Sequence, residues 1–509
     1  MLKTLLTPLL LLITFTGFAQ YQTPGTGVKW SLNDLVTNSG GSVTFSNNTY
    51  FFNDSITVAQ NDTLQILTNE TVKLDNSILF TIAGTLLVNP SDSVVFTAVN
   101  PTSRFHSFRF EEFSDGSVLR KTIIEYGNGI KLLNSDMLFD SCTIRNHGRS
   151  LSGNSGAISL TGSSPRILNC TFYGNVRAAI SSPTNGGCSP VIRNCIIENN
   201  ATENGNYPQI NLGPGGSAPI IIDGNSIIGN TASNLSGGVA VSNLLGGASI
   251  TTVQINNNTI RNNRYGITLT GGNIQAHIIN NLIENNNTNS NAMTGGSGIN
   301  FYNTNPTQRA IVARNIIRGN LWGITLQSGS SVQSGPQISL GRINRTDTSD
   351  VGLNQIYNNG NGGQTYDVYN NTADTVWAQN NFWNTTDTTL IEDHIYHKAD
   401  NSAHGVVMYL PFAQPTAVKS VIANATGISA YPNPASEFVH IKVAGVAKGA
   451  EPVMLDIFNV YGGLVASVPL TNSGNSVEGQ WQLQNITNGL YIGIPRNNQK
   501  LSIKIVVSK

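Results

Sequence analysis

The stretch Asn281-Leu-Ile-Glu-Asn-Asn-Asn287 sets one apolar pair between polar residues that ordinarily belong to turns. Variants of it return along the chain: NCTFYGN from Asn169, NCIIENN from Asn194, NSIIGN from Asn225, NNTIRNN from Asn257 and NIIRGN from Asn315. Aligned on the apolar residue they give one column, Ile144, Phe172, Ile197, Ile228, Ile260, Ile283, Ile317 and Ile356. The steps run from 23 residues (Ile260 to Ile283) to 39 (Ile317 to Ile356), a range in which repeats build solenoids rather than globules. Two residues earlier the column reads Cys142, Cys170, Cys195, Ser226, Asn258, Asn281, Asn315 and Asn354. Two residues later stand Asn146, Gly174, Asn199, Asn230, Asn262, Asn285, Gly319 and Asn358. An asparagine at the same bend of successive coils can donate its amide to one neighbour and accept from the other. Asn and Gly also tolerate the left-handed backbone that tight bends need. The motif is therefore read as architecture.

A second signature alternates as a strand does: GIKLLN from Gly129, AISLTG from Ala157, GVAVSN from Gly238, GITLTG from Gly266, GINFYN from Gly298 and GITLQS from Gly323. In GITLTG, Ile267 and Leu269 face one side, Thr268 and Thr270 the other. One outward residue per coil is then expected at Lys131, Ser159, Ser181, Asn211, Ala240, Thr268, Asn300 and Thr325.

Composition agrees with such an array. A chain of 509 residues exceeds one compact core. Charged residues make up 11%, against about 25% in ordinary soluble domains, while 39% apolar residues at regular spacing argue against disorder outside linkers. The formal net charge is zero, which removes the electrostatic basis for a nucleic-acid partner. Lys3, the apolar run Leu5 to Phe18 and Gly17-Phe18-Ala19 before Gln20 read as an export signal over residues 1–19. That run is too short to span a bilayer and no later one is long enough, so no membrane insertion is expected. Of the four cysteines, Cys142, Cys170 and Cys195 share one repeat column and Cys188 lies in a loop. Their even number in an exported chain permits disulfides, but buried free thiols are the favoured reading.

These coils resemble the right-handed parallel β-helix repeat family, which includes pectate-lyase-like proteins, over Gly129 to Asn384. The resemblance implies an all-β solenoid, assigned to residues 20–412 with a cap at each end. WSLNDLV from Trp30 offers a serine at a helix start. AQNNFWN from Ala378 is similar to a closing segment of the family, in which a short helix and a final strand follow. The family hosts lyases, hydrolases, epimerases and proteins without catalysis, so it implies no reaction.

Residues 413–427 read as a linker and 428–509 as a small β-sandwich, with strands at EFVHIKV (Glu437), PVMLDIFNV (Pro452), WQLQNI (Trp481), GLYIGI (Gly489) and KLSIKIVVSK. AYPNPASEFVHIKV from Ala430 is similar to the C-terminal sorting domain of proteins exported by type IX secretion in Bacteroidetes. Tyr431, Pro432, Asn433 and Pro434, with Gly489 and Tyr491 of the GLYIGI strand, carry that resemblance. It implies passage through the periplasm, surface attachment or release, and the type IX machinery as partner. Pro432 and Pro434 are expected to keep Tyr431 to Ala435 at an edge open to that partner.

Chemistry is sparse on the expected outer row, where only Lys131 is charged. A glycoside hydrolase needs two carboxylates, and a calcium-assisted lyase needs clustered acids with a base. Loops at NHGR (Asn146), RTDTSD (Arg345) and NNNTNSNAMTGGS (Asn285) could supply groups, although His147, Asp347 and Asp350 read more simply as turn residues. His394, His397 and His404, near Glu392 and Asp393, lie in the closing segment, and no metal or cofactor is expected. Tyr265 and Trp322 each precede the glycine of a strand signature. With Lys131, Asn300, Tyr302 and Gln327 they form the candidate glycan-binding set, aromatic faces for sugar rings beside amides for hydroxyls. A secreted or surface polysaccharide-binding β-helix is the first reading. A lyase or hydrolase working from its loops, and a non-catalytic adhesive or structural stalk, are the alternatives.

Overall fold

The strand Leu282–Glu284 is three residues long because a left-handed residue closes each end: Asn280 at φ 60° and Asn285 at φ 54°. The same triplet between two such bends recurs at Thr143–Arg145, Thr171–Tyr173, Ile196–Glu198, Thr259–Arg261 and Ile316–Arg318. A computed structural model describes residues 20–149, 156–245, 247–344, 346–414, 427–444, 453–459, 463–473, 476–496 and 501–509. The expected export signal, nearly all of the expected linker, Arg345 and the turn residues Tyr461, Gly462, Asn497 and Asn498 lie outside them.

Each coil passes from a back strand to a front strand to a side strand. Stacked, these form a front sheet of 14 strands (Tyr21–Gln22 to Ile395–Tyr396), a side sheet of 14 (Lys29–Trp30 to Val407–Met408) and a back sheet of 13 (Val43–Ser46 to Gln355–Tyr357). The first back strand makes an antiparallel hairpin with Thr49–Phe52; from there the stacked coils pair parallel. The architecture is the all-β parallel β-helix that the resemblance implies.

The back column runs in register through Ile144, Phe172, Ile197, Ile227, Ile260, Ile283, Ile317 and Ile356, all fully buried. Ile227, not the expected Ile228, fills the fourth place, because Gly224 makes that coil's left-handed bend and Asn225, not Ser226, follows it. Asn230 likewise leaves the bend column: it is extended and caps a short 3-10 turn at Thr231–Ser233.

The paired asparagines divide two tasks. The first of each pair takes the left-handed bend, and the second enters a buried ladder. Asn225, Asn258, Asn281, Asn315 and Asn354 each donate Nδ2 to the Oδ1 of the next member at 2.9–3.0 Å, and the file ends at Asn381. The same Oδ1 accepts the backbone N–H of the preceding coil. Cys195, Cys170 and Cys142 continue this file: backbone N–H groups donate to Sγ at 3.4 Å, and the thiols donate to carbonyls of Leu119, Leu168 and Arg193. All four cysteines are free and buried. A second ladder follows the other bend, through Asn263, Asn286, Asn320 and Asn359 to Asp367.

Helix α1 (Leu32–Asn38) closes the first end, its capping box formed by Ser31 and Asp34, with Leu32 and Leu35 buried in the core. At the other end Trp383 is buried, Asn384 takes the left-handed conformation at φ 59°, and helix α2 (Thr388–Asp393) follows, capped by Asp387. The strands of the smaller unit pair antiparallel in the order Gly427–Tyr431, Phe438–Ala444, Ser476–Gln482, Leu464–Ser473, Val453–Asn459, Gly489–Pro495 and Ile503–Val507, and Ala435 adds a parallel bridge to Val507. Leu464–Ser473 is an additional strand, masked in the sequence by Pro469, and it pairs first with Val453–Asn459 and then with Ser476–Gln482.

Candidate binding groove on the front sheet

The outward front row follows the expected order strand by strand, Lys131, Ser159, Ser181, Asn211, Ala240, Thr268, Asn300 and Thr325, and continues beyond it to Tyr369 and Tyr396. At the Thr268 to Tyr369 end, a groove of about 410 Å³ opens over the sheet. Asn300 is the centre of its floor: Nδ2 donates to Thr268 Oγ1 at 2.9 Å, and Oδ1 accepts from Thr325 Oγ1 at 2.8 Å and Gln327 Nε2 at 3.2 Å. These bonds tie three successive coils and hold the amides and hydroxyls in fixed directions.

Trp322 stands at one side, its ring 4.7 Å from that of Tyr366 and 5.0 Å from that of Tyr369. Tyr369 in turn stacks on Tyr396 at 4.6 Å with an 8° angle between planes. The other wall is the long bend after Asn285, whose Ala292, Met293, Thr294 and Gly295 line the opening. Trp322 Nε1 donates to Ala292 O at 2.9 Å, and Arg264 donates to Thr294 O, so the wall is tied to the sheet on two sides. Met293 at its tip is 89% exposed. Tyr265 lines the inner end, and burial pushes its hydroxyl up to about 12. No lining side chain carries a charge.

Of the candidate glycan set, Tyr265, Asn300, Trp322 and Gln327 meet in this groove. Tyr302 is half-buried in the row beside Gln327 but does not line it. Lys131 lies five strands from Thr268, roughly 24 Å at the usual strand spacing, where burial and the charge of Arg109 lower its ammonium. Tyr369 and Asn371 belong to the groove, and the strand signature does not reach them because their strand, Val368–Asn371, lacks its leading glycine. The alternation of Val368 and Asn370 inward with Tyr369 and Asn371 outward was the available signal.

The other candidates separate. His147 is fully buried; Nε2 lies 3.1 Å from Ile124 O, Nδ1 accepts from Gly129 N at 3.2 Å, and burial pushes it down to about 4. His394 pairs with Asp367 at 3.3 Å, which raises its basicity, His397 Nε2 lies 2.8 Å from Glu392, and His404 packs on Tyr396. Among the described residues, no group of three or more His, Cys, Asp or Glu could hold a metal. In the smaller unit, Asn433 Nδ2 donates to Lys504 O at 2.7 Å and its Oδ1 accepts from Val506 N at 2.8 Å. The Pro432–Pro434 segment is thus fastened to the final strand by a side chain as well as framed by prolines. Tyr431 is half exposed against His440, Gly489 opens its strand, and buried Tyr491 donates to Thr487 O at 2.8 Å.

Residues 89–326 match the family described as NosD, periplasmic copper-binding protein, and residues 429–508 match the secretion system C-terminal sorting domain. As for the copper of the first description, both ring nitrogens of His147 and the thiols of Cys142, Cys170 and Cys195 are engaged by backbone. No curated protein matches the chain. Among solved structures, the tailspike receptor binding domain of Siphovirus 9NA is similar at 10% identity, over 94% of this chain and 98% of that one, with a TM-score of 0.20, at which the likeness bears no weight. Among the described residues no helix is long and apolar enough to cross a membrane. The β-helix coils and the sorting tail together identify the chain as a right-handed parallel β-helix protein with a type IX secretion sorting domain, secreted or held at the cell surface.

Proposed function

We propose that this exported β-helix binds an uncharged polysaccharide along the front-sheet groove. The observation that carries the reading is the pairing of Trp322 and Tyr369 with a floor of amides and hydroxyls fixed around Asn300, in a lining without charge. Aromatic faces take the apolar faces of sugar rings, and the fixed donors and acceptors take their hydroxyls. The groove offers neither a carboxylate pair nor a base, so the work it supports is retention rather than bond cleavage.

Affinity electrophoresis of the purified chain against a panel of neutral polysaccharides tests this. At least one polymer should retard it, and Trp322→Ala should weaken that retention tenfold or more, the usual scale for an aromatic anchor. Retention unchanged in Trp322→Ala and Tyr369→Ala would contradict the groove assignment. Release of reducing ends would replace the binding reading with the loop-catalysed one.

A further inference from the structure

The side sheet carries a second groove, of about 440 Å³, on a face other than the one just described. Its floor is two outward rows in register across four strands. One row is Thr252, Gln275, Arg309 and Gln337, and the other is Gln254, His277, Ile311 and Ser339. Its wall is the loop that follows the strand Gln337–Gly341, bringing Arg342, Asp347 and Asp350 over the floor.

The charged groups of the wall have unequal commitments. Asp350 is 6% exposed; its two oxygens accept from Ser339 Oγ at 2.7 and 2.9 Å, and Arg342 Nε lies 3.7 Å away. The Arg342 guanidinium in turn lies 4.9 Å over the Trp377 ring. These three groups fasten the wall to the sheet. Among the described residues the Asp347 carboxylate accepts from its near neighbour Ser349, at 2.8 and 2.6 Å, and it stays exposed at the opening. His277 and Arg309 are exposed on the floor. Arg309 stands between Gln275 and Gln337, one strand spacing from each.

A guanidinium flanked by carboxamides at about 4.8 Å steps presents donors for one anionic group and for hydroxyls on either side of it. The front groove, uncharged and aromatic, has the opposite character. We propose that the side-sheet groove is a second saccharide site, for an acidic glycan carrying carboxylate or sulfate groups. Arg309 takes the anion, Gln254, Gln275 and Gln337 take neighbouring hydroxyls, and Asp347 accepts from a hydroxyl. The site lies on a different sheet from the front groove and stands whether or not that groove binds sugar.

Isothermal titration of the full chain with a hyaluronan hexasaccharide, carboxylated only, and a chondroitin sulfate hexasaccharide, carboxylated and sulfated, tests it against maltohexaose. At least one acidic oligosaccharide should bind. Arg309→Gln should weaken it tenfold or more with the thermal midpoint unchanged, whereas Trp322→Ala should leave it intact. Which acidic ligand binds assigns the anion. If neither binds, if Arg309→Gln binds as well as the parent, or if Trp322→Ala abolishes acidic binding, the proposal is overturned. Loss of maltohexaose binding alone would count against the front groove and not against this one.

Discussion

At the scale of single residues, the informative asparagines are those whose side chains meet no solvent. Asn281 accepts from Asn258 N and Nδ2, and its own Nδ2 donates to Ile255 O and Asn315 Oδ1. Asn281→Ala would strand several of these buried groups, each at a cost of about 1–3 kcal/mol, so a loss of at least about 3 kcal/mol is expected from denaturant unfolding. Asn287 is exposed, and Asn287→Ala should stay within about 0.5 kcal/mol of the parent. Equal effects would mean that the ladder is not what the motif is for. His147 gives a pH test. It is held at about 4 against an ordinary value of 6.5, so between these values the unfolded chain binds a proton that the folded chain refuses. Its contribution is intact above about pH 6.5 and declines as the pH falls toward 4, by about 3 kcal/mol in all. His147→Gln should be less stable at pH 7 yet lose less between pH 7 and 4.5, and an identical acid loss in both proteins would contradict this. The sequence shows that asparagines repeat, but which of two adjacent ones bends and which bonds depends on backbone angles that composition does not reveal. For the same reason Ile227 and Ile228 look alike in the sequence and differ only in the fold.

At the scale of the element, several front strands start at a glycine because the coils approach too closely there for a side chain. A Cβ on Gly298 would lie 2.8 Å from Gly323 O and 2.9 Å from an Ile317 methyl, and one on Gly266 would lie 2.4 Å from Gly298 O. Gly298→Val should therefore cost about 1–3 kcal/mol or more and disturb the groove whose floor begins two residues later. A stable variant with unaltered glycan retention would show that the coils separate freely there. This close approach makes the signature readable at Gly129, Gly238, Gly266, Gly298 and Gly323, and the strand alternation carries the outward row in register from Lys131 to Thr325. Val368–Asn371 begins after Asp367, which terminates the second ladder, and so carries no glycine to announce it. The wall at Ala292–Gly295 was legible only as a long polar bend; its attachment through Trp322 Nε1 is a tertiary fact.

At the scale of the whole molecule, two compact units divide the work. Among the described residues, those from Gln20 to Gln414 build the solenoid, and residues 429–508 match the sorting domain. Charge is rare in the chain, some of it sits in cross-strand pairs such as Glu284 with Arg318 and Glu125 with Arg145, and the front groove is neutral. Both proposed sites are surfaces of the solenoid, and each exists only because outward residues from successive coils stand at one strand spacing. Spin labels placed on the outward row measure that spacing directly. Lys131 and Ala240 are four strand steps apart and Lys131 and Tyr369 eight, so pulsed dipolar distances of about 19 Å and about 38 Å are expected, the second twice the first. A second distance equal to or shorter than the first would contradict the stacked row and, with it, both grooves.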